Sequence, residues 1–253
     1  MNINDTYIDF VGDIIKHGDN VIKDDGDRII ELLGNHYFID NPLNDMKLFS
    51  SDDHLLQCIK RGMFDVPGNP INSMALYNYV SEGFEEYNKH DFVYTYPNRL
   101  LHHFMIKPHH QGWLNRILSF GDEALYINEF DEMAWRLRNS PGSNRAVSVI
   151  YDPAVDTGKK DIPCLNWLQF TIRHDKLTLH CMFRSNDIFT AFYSNMYLLT
   201  YWGLKMTTSL QWGKEGYKDL KFAGIDYHSS SGHIYEDAIE EAEYMLSCNK
   251  QGL

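Results

Sequence analysis

Cys164, Arg184 and Asn195 are the residues whose types and spacing could do chemistry together. The stretch that holds them reads CLNWLQFTIRHDKLTLHCMFRSNDIFTAFYSN. Leu168, Phe170 and Ile172 alternate with polar neighbours, as do Leu177, Leu179, Cys181 and Phe183, which is the period of half-buried strands. His174-Asp175 between the two runs suits a two-residue hairpin turn. With Arg173 paired to Lys176, the ladder sets Cys164 opposite Ser185 and beside Arg184. A cation beside a thiol favours the thiolate, so the pattern is a sulfur nucleophile next to an anion-binding group. The plainer alternative is a small hydrophobe buried at a strand end. Asp187 then opens a helix to Lys205 with Ile188, Phe192, Asn195 and Leu199 on one stripe. On that apolar face an unpaired amide costs ~1–3 kcal/mol, so Asn195 needs a fixed partner. Backbone would serve, and so would a ring offering an acceptor and an N–H donor.

Other polar residues stand at positions that elements must hold. His233 and Tyr235 lie two apart, so on a strand they face the same side. Tyr96 follows Tyr94-Thr95, and its alternative to a role in chemistry is packing with its hydroxyl in water. Arg145 opens a run to Pro153 that reads as a buried strand. Residues 4–17 carry Tyr7, Ile8, Val11, Ile14 and Ile15 at helical spacing, closed by Gly18. VIKDDGDRIIELLGNHYFID gives two short strands around a DDG turn. Between Asn41 and Asp91, residues 54–64 and 73–87 each suit a helix, joined by the turn-rich DVPGNPIN. Asp122–Asn139 reads as one helix with Tyr126, Phe130, Met133, Ala134 and Leu137 on one face, its acids early and Arg136 and Arg138 late.

Composition narrows the function classes. The 253 residues suffice for one large core and are read as a single domain, 1–253. A net charge of −12 argues against a nucleic-acid surface or an anionic membrane, while leaving room for a focused cationic pocket. No run approaches the ~18 apolar residues of a membrane span, and MNINDTYIDF lacks signal-peptide character. The four cysteines show no CxxC spacing, so neither a zinc site nor a disulfide framework is expected, and a reducing cytoplasm is the natural compartment. The adjacent pairs His102-His103 and His109-His110 point apart on any regular element, so no metal is expected there either.

Three separated elements now agree without a gap. P-C-x-N-x-x-Q-F at Pro163–Phe170, R-S-N-D beginning at Arg184, and Asn195 together resemble the thymidylate synthase superfamily. That superfamily includes phage and antibiotic-pathway pyrimidine nucleotide hydroxymethylases, and the likeness is strongest over residues 92–240. FVYTYPNRLL is similar to the Tyr-Thr-Tyr-Gly-x-Arg motif of archaeal and phage members, with Pro97 in the glycine position. The resemblance implies an α/β fold: one large twisted mixed sheet with flanking helices, its other face forming the interface of a homodimer. It implies 5,10-methylenetetrahydrofolate as the one-carbon donor. Cys164 would add to C6 of the pyrimidine and Tyr96 would help remove the C5 proton. Arg184, Ser185 and Arg145 of the partner subunit would hold the phosphate, Asp187 and Asn195 the base, and His233 and Tyr235 the sugar.

The departures are as specific as the matches. Asp24 stands where a phosphate-binding arginine is expected, with Lys23 and Arg28 nearby. Cys58 aligns with the glutamate that relays protons to the ring, and no Glu occurs between Glu31 and Glu82; Asp52, Asp53, Glu85 and Glu86 are the substitutes in reach. Asn144 replaces the first of two arginines before the 145–153 strand. No tail that would close over folate is recognised after the acidic helix beginning near Glu236. Asn195 goes with uracil nucleotides in this resemblance, which favours conversion of dUMP to dTMP. Hydroxymethylation of dUMP, dCMP or CMP, and a nucleotide-binding relative without catalysis, remain the alternatives.

Overall fold

The computed structural model describes residues 1–40, 42, 96–101, 103–105, 125–213 and 215–250. The expected helices over 54–64 and 73–87, Cys58 and the pair His109-His110 lie outside these residues.

α1 (Ile3–His17) starts where the Asn2 side chain accepts from the Asp5 amide, and Gly18 ends it by donating to the Ile14 carbonyl. Phe10, Val11 and Ile14 form its buried stripe. A hairpin follows, as the DDG signal requires: β1 (Asp19–Ile22) against β2 (Arg28–Ile39). β2 is one long strand, not a short one, and it runs through Gly34, whose φ of 71° sits mid-strand. α2 (Tyr96–Leu101) leads to β3 (His103–Met105), which pairs with β4 (Leu125–Ile127). The single helix expected over 122–139 is therefore corrected. Backbone pairing claims residues 125–127, and α3 (Glu129–Asn139) begins only where Asn128 caps the Asp131 amide. Phe130, Met133, Ala134 and Leu137 are buried as the helical period predicts.

The buried strand expected over 145–153 is also corrected. β5 (Val147–Val149) is a short edge strand with only Ser148 buried, and Pro153 starts a helical turn, α4 (Pro153–Asp156), capped by Asp152. β6 (Leu165–Arg173) and β7 (Lys176–Phe183) form the central hairpin with Arg173 opposite Lys176. Its turn needs left-handed backbone at both positions, and His174 and Asp175 supply it with φ of 51° and 56°. β8 (Asn186–Asp187) is followed by α5 (Ile188–Gly213), which runs about two turns beyond the expected stop at Lys205. β9 (Lys221–Tyr235) and α6 (Ile239–Lys250) complete the chain.

The seven strands form one mixed sheet in the order β1-β2-β9-β7-β6-β5, with β8 beside β9. β9 pairs antiparallel with β2 and parallel with β7 and β8. Its Gly224, at φ 146°, has no room for a side chain, because a Cβ would meet the Ile39 carbonyl oxygen at 2.1 Å. Helices α1 and α5 cover one face, where Phe10, Phe192 and Tyr227 pack edge to face. On the other face Phe38, Val147, Val149 and Met182 are exposed. Among the described residues no helix is long and apolar enough to cross a membrane.

Candidate active site

The nucleophile candidate sits one residue away from its expected ladder position. Leu165 pairs with Phe183, but Trp167 pairs with Met182, so Asn166 is an extra residue in β6. The bulge shifts Cys164 from Ser185 to Arg184, whose amide donates to the Cys164 carbonyl at 2.8 Å. The Arg184 guanidinium folds back over the same loop. Its Nε donates to the Pro163 carbonyl (3.1 Å), and Nη2 donates to the Ile162 carbonyl (2.9 Å) and lies 3.7 Å from Cys164 Sγ. Cys164 is half-buried and packs against the core, while Arg184 is exposed.

The four residues from Arg184 to Asp187 then touch the rest of the set in turn. Ser185 Oγ lies 3.2 Å from Nδ1 of His233. Asn186 Oδ1 accepts from the Asn195 amide at 2.9 Å, while its own amide donates to the Tyr227 hydroxyl. Asn186 was not singled out from sequence, although R-S-N-D contains it. It is the fixed partner that Asn195 requires. Asp187 caps α5 through the Thr190 amide (3.1 Å) and also accepts from the Thr190 hydroxyl. Burial raises its pKa, against the lowering effect of those hydrogen bonds.

His233 and Tyr235 share a face of β9, their rings crossing edge to face at 5.2 Å. His233 is 5% exposed, and its Nε2 is buried with no hydrogen-bond partner. Burial first, then the positive charge of Lys23, lowers the His233 pKa to about 4, so the ring is neutral at ordinary pH. Lys23 itself lies 3.2 Å from the Tyr235 hydroxyl and pairs with Asp25 and Asp27. Burial opposes its charge, but those hydrogen bonds win and its pKa is raised. Lys23, rather than the exposed Asp24, is the cation this loop turns towards the site; Arg28 pairs with Glu236 instead.

Tyr96 begins α2 and is buried, and its hydroxyl accepts from the Leu165 amide at 3.2 Å, next to Cys164. Arg99 fixes that placement. Its guanidinium makes a fork to the buried Asp156 carboxylate (2.6 and 3.2 Å), at the end of the turn that precedes the Cys164 loop. Arg145 stands apart from this group. It is exposed before β5, its amide donating to Ser143 Oγ, while Asn144 is held by Arg173. A cleft of about 750 Å³ opens beside the set and shares Asp187 and Tyr235 with it, but not Cys164 or Arg184. Its wall carries Asp27, Glu236, Asp237 and Glu241 against the single cation Arg28, a poor match for a phosphate. The thiol and the Arg184 guanidinium lie outside this cleft, at the Cys164 end.

A thiol, a guanidinium, a fixed carboxamide and an imidazole with one unpartnered nitrogen thus gather at one end of a mixed α/β sheet. The profile of the thymidylate synthase family matches residues 5–252, and the chain belongs to that family. Three archaeal relatives carry the name "Putative thymidylate synthase". That of Methanothermobacter thermautotrophicus is 29% identical over 92% of this chain and 90% of its own length. That of Methanothermobacter marburgensis is 26% identical over 96% and 95%. That of Methanocaldococcus jannaschii is 30% identical over 59% of each chain. The family is one of pyrimidine one-carbon transferases in nucleotide biosynthesis.

Proposed function

We propose that this chain, as a single domain in a homodimer of the cytoplasm, converts dUMP to dTMP. The observation that carries the reading is the run Arg184–Asn186, which contacts the thiol, the buried imidazole and the carboxamide at three successive residues.

Cys164 thiolate adds to C6 of the ring, which makes C5 nucleophilic and divides one hard substitution into easier steps. Methylenetetrahydrofolate, the family's usual one-carbon donor, would supply the carbon and, in the reductive route, the hydride. Tyr96 with ordered water takes the C5 proton. Arg184, with Ser185 and Lys23, holds the phosphate, joined by Arg145 of the partner subunit. Asn195, oriented by Asn186, presents a carbonyl and an N–H to the uracil edge, and Asp187 fixes the start of the helix that carries it. The free Nε2 of His233 receives the sugar hydroxyl beside Tyr235, which removes the cost of a buried unpaired nitrogen. The apolar side chains on the open sheet face, Phe38, Val147, Val149 and Met182, support a sheet-to-sheet dimer.

The test is turnover of dUMP with methylenetetrahydrofolate, with product mass and dihydrofolate absorbance followed together. Dihydrofolate and dTMP in equal amounts are expected, and Cys164→Ala should abolish both. A product heavier by one oxygen, without dihydrofolate, would assign the chain to the hydroxymethylases instead. Binding of dUMP with no tritium release from C5-labelled substrate would overturn catalysis altogether.

A further inference from the structure

The open face of the sheet carries a cluster of groups that the nucleotide reaction does not use. His36 of β2 stands directly opposite His228 of β9, and His180 of β7 directly opposite Asp226 of β9. Asp226 and His228 are two residues apart on one strand, so all four side chains rise from the same face. The His36 and His228 rings stack with centroids 4.1 Å apart and planes 7° from parallel. His36 Nε2 is hydrogen-bonded to Asp226 Oδ1 at 2.7 Å, and His228 Nε2 lies 3.5 Å from the same oxygen. The other carboxylate oxygen, Oδ2, is 2.7 Å from His180 Nδ1, and Nε2 of that ring is 2.9 Å from the Thr171 hydroxyl.

We propose that His36, Asp226 and His228 form a binding site for a divalent transition-metal ion of the zinc type. The candidate ligand atoms already stand near the spacing of a metal site. Metal bonds of ~2.0–2.2 Å in a tetrahedral arrangement separate ligand atoms by about 3.3 Å. The 2.7 and 3.5 Å separations bracket that value, and the three ligand atoms all lie within 4.8 Å of one another. The 3.5 Å contact is too long to be a good hydrogen bond, so His228 Nε2 is open to another partner. Once the exposed His36 ring tilts out of the stack, one cation can accept both imidazole lone pairs and the carboxylate. Imidazole nitrogens select zinc, copper or nickel over magnesium or calcium. His180, itself held by Thr171, fixes the carboxylate from behind, as the outer partners of metal ligands commonly do. Three protein ligands leave a fourth position for water or for a group from a second copy packed on this face.

The tag-free full chain, stripped with chelator and dialysed, is titrated with Zn²⁺ by calorimetry, and retained metal is counted by mass spectrometry. One ion per chain is expected. His36→Gln and His228→Gln should each weaken binding at least a hundredfold, and His180→Gln about tenfold. His36 has a side chain 57% exposed, so its replacement leaves the core untouched and keeps the test valid if the other variants fold poorly. Cys164→Ser should leave zinc affinity unchanged. No saturable binding, equal affinity in His36→Gln, or loss in Cys164→Ser would each overturn the site.

Discussion

His233 stands where a single nitrogen has consequences for both binding and folding. Burial and the Lys23 charge hold its pKa near 4 in the folded protein, against an ordinary value of about 6.5 when unfolded. Between those values the unfolded chain binds the extra proton, so stability rises with pH through this window and is lost as pH falls from 6.5 to 4. From pH 7 to pH 5 this one group should remove about 2 kcal/mol. His233→Gln cannot titrate, so its unfolding free energy in urea should fall by that much less over the same interval; equal falls in both proteins would show that His233 is not held neutral by the fold. At this scale the sequence was legible in types more than in contacts. Cys164, Arg184 and Asn195 could be picked out because their spacing along the chain is itself a signal. Arg184 beside Cys164 was legible too, but the register that pairs them and most other partners were not. The extra residue at Asn166 turns Cys164 towards Arg184, and a bulge of one residue leaves no trace in a period-two pattern. Asn186 and Asp156 carry no spacing signal either, since each acts across a gap that only the fold closes. The same holds for His36 and His228, which are neighbours only through the β2–β9 register.

Elements, in turn, are held to one another by a few polar locks. α2 brings Tyr96 to the Cys164 loop because Arg99 forks onto Asp156, a carboxylate that also accepts from the Asp152 amide at 2.9 Å. The pair is almost wholly out of water, so removing one member strands a charge. Asp156→Ala should cost about 3–5 kcal/mol in urea unfolding and reduce turnover through loss of the Tyr96 position. Loss of activity without loss of stability would place Asp156 in the reaction instead. Hairpins were readable at this scale, since alternation and turn residues fixed both β1–β2 and β6–β7. Helix limits were not. Leu125–Ile127 carry a helical period yet pair with β3, because a backbone partner far along the chain outweighs local preference. The strand from Arg145 shrank to Val147–Val149 for a related reason: an edge strand ends where its one neighbour stops pairing.

The whole molecule, read as a homodimer joined through its open sheet face, makes a prediction that no single chain can satisfy. Arg145 is exposed and apart from the set around Cys164, so its guanidinium serves the reaction only if it reaches a second copy. Arg145→Ala and Cys164→Ala should each be nearly inactive alone, the first through a raised KM for dUMP and the second through loss of the nucleophile. Denatured together in equal amounts and refolded, half of the dimers carry one chain of each kind. In those dimers one site has lost both groups, while the other keeps its own Cys164 and receives Arg145 from its partner. About a quarter of wild-type turnover should therefore return, with the wild-type KM, because one site in four is whole. A mixture as inactive as its parents would mean that Arg145 serves its own chain or none, and that the open face joins the copies differently. Restored activity would tie the exposed Phe38, Val147, Val149 and Met182, and the histidine cluster beside them, to the contact that completes the site.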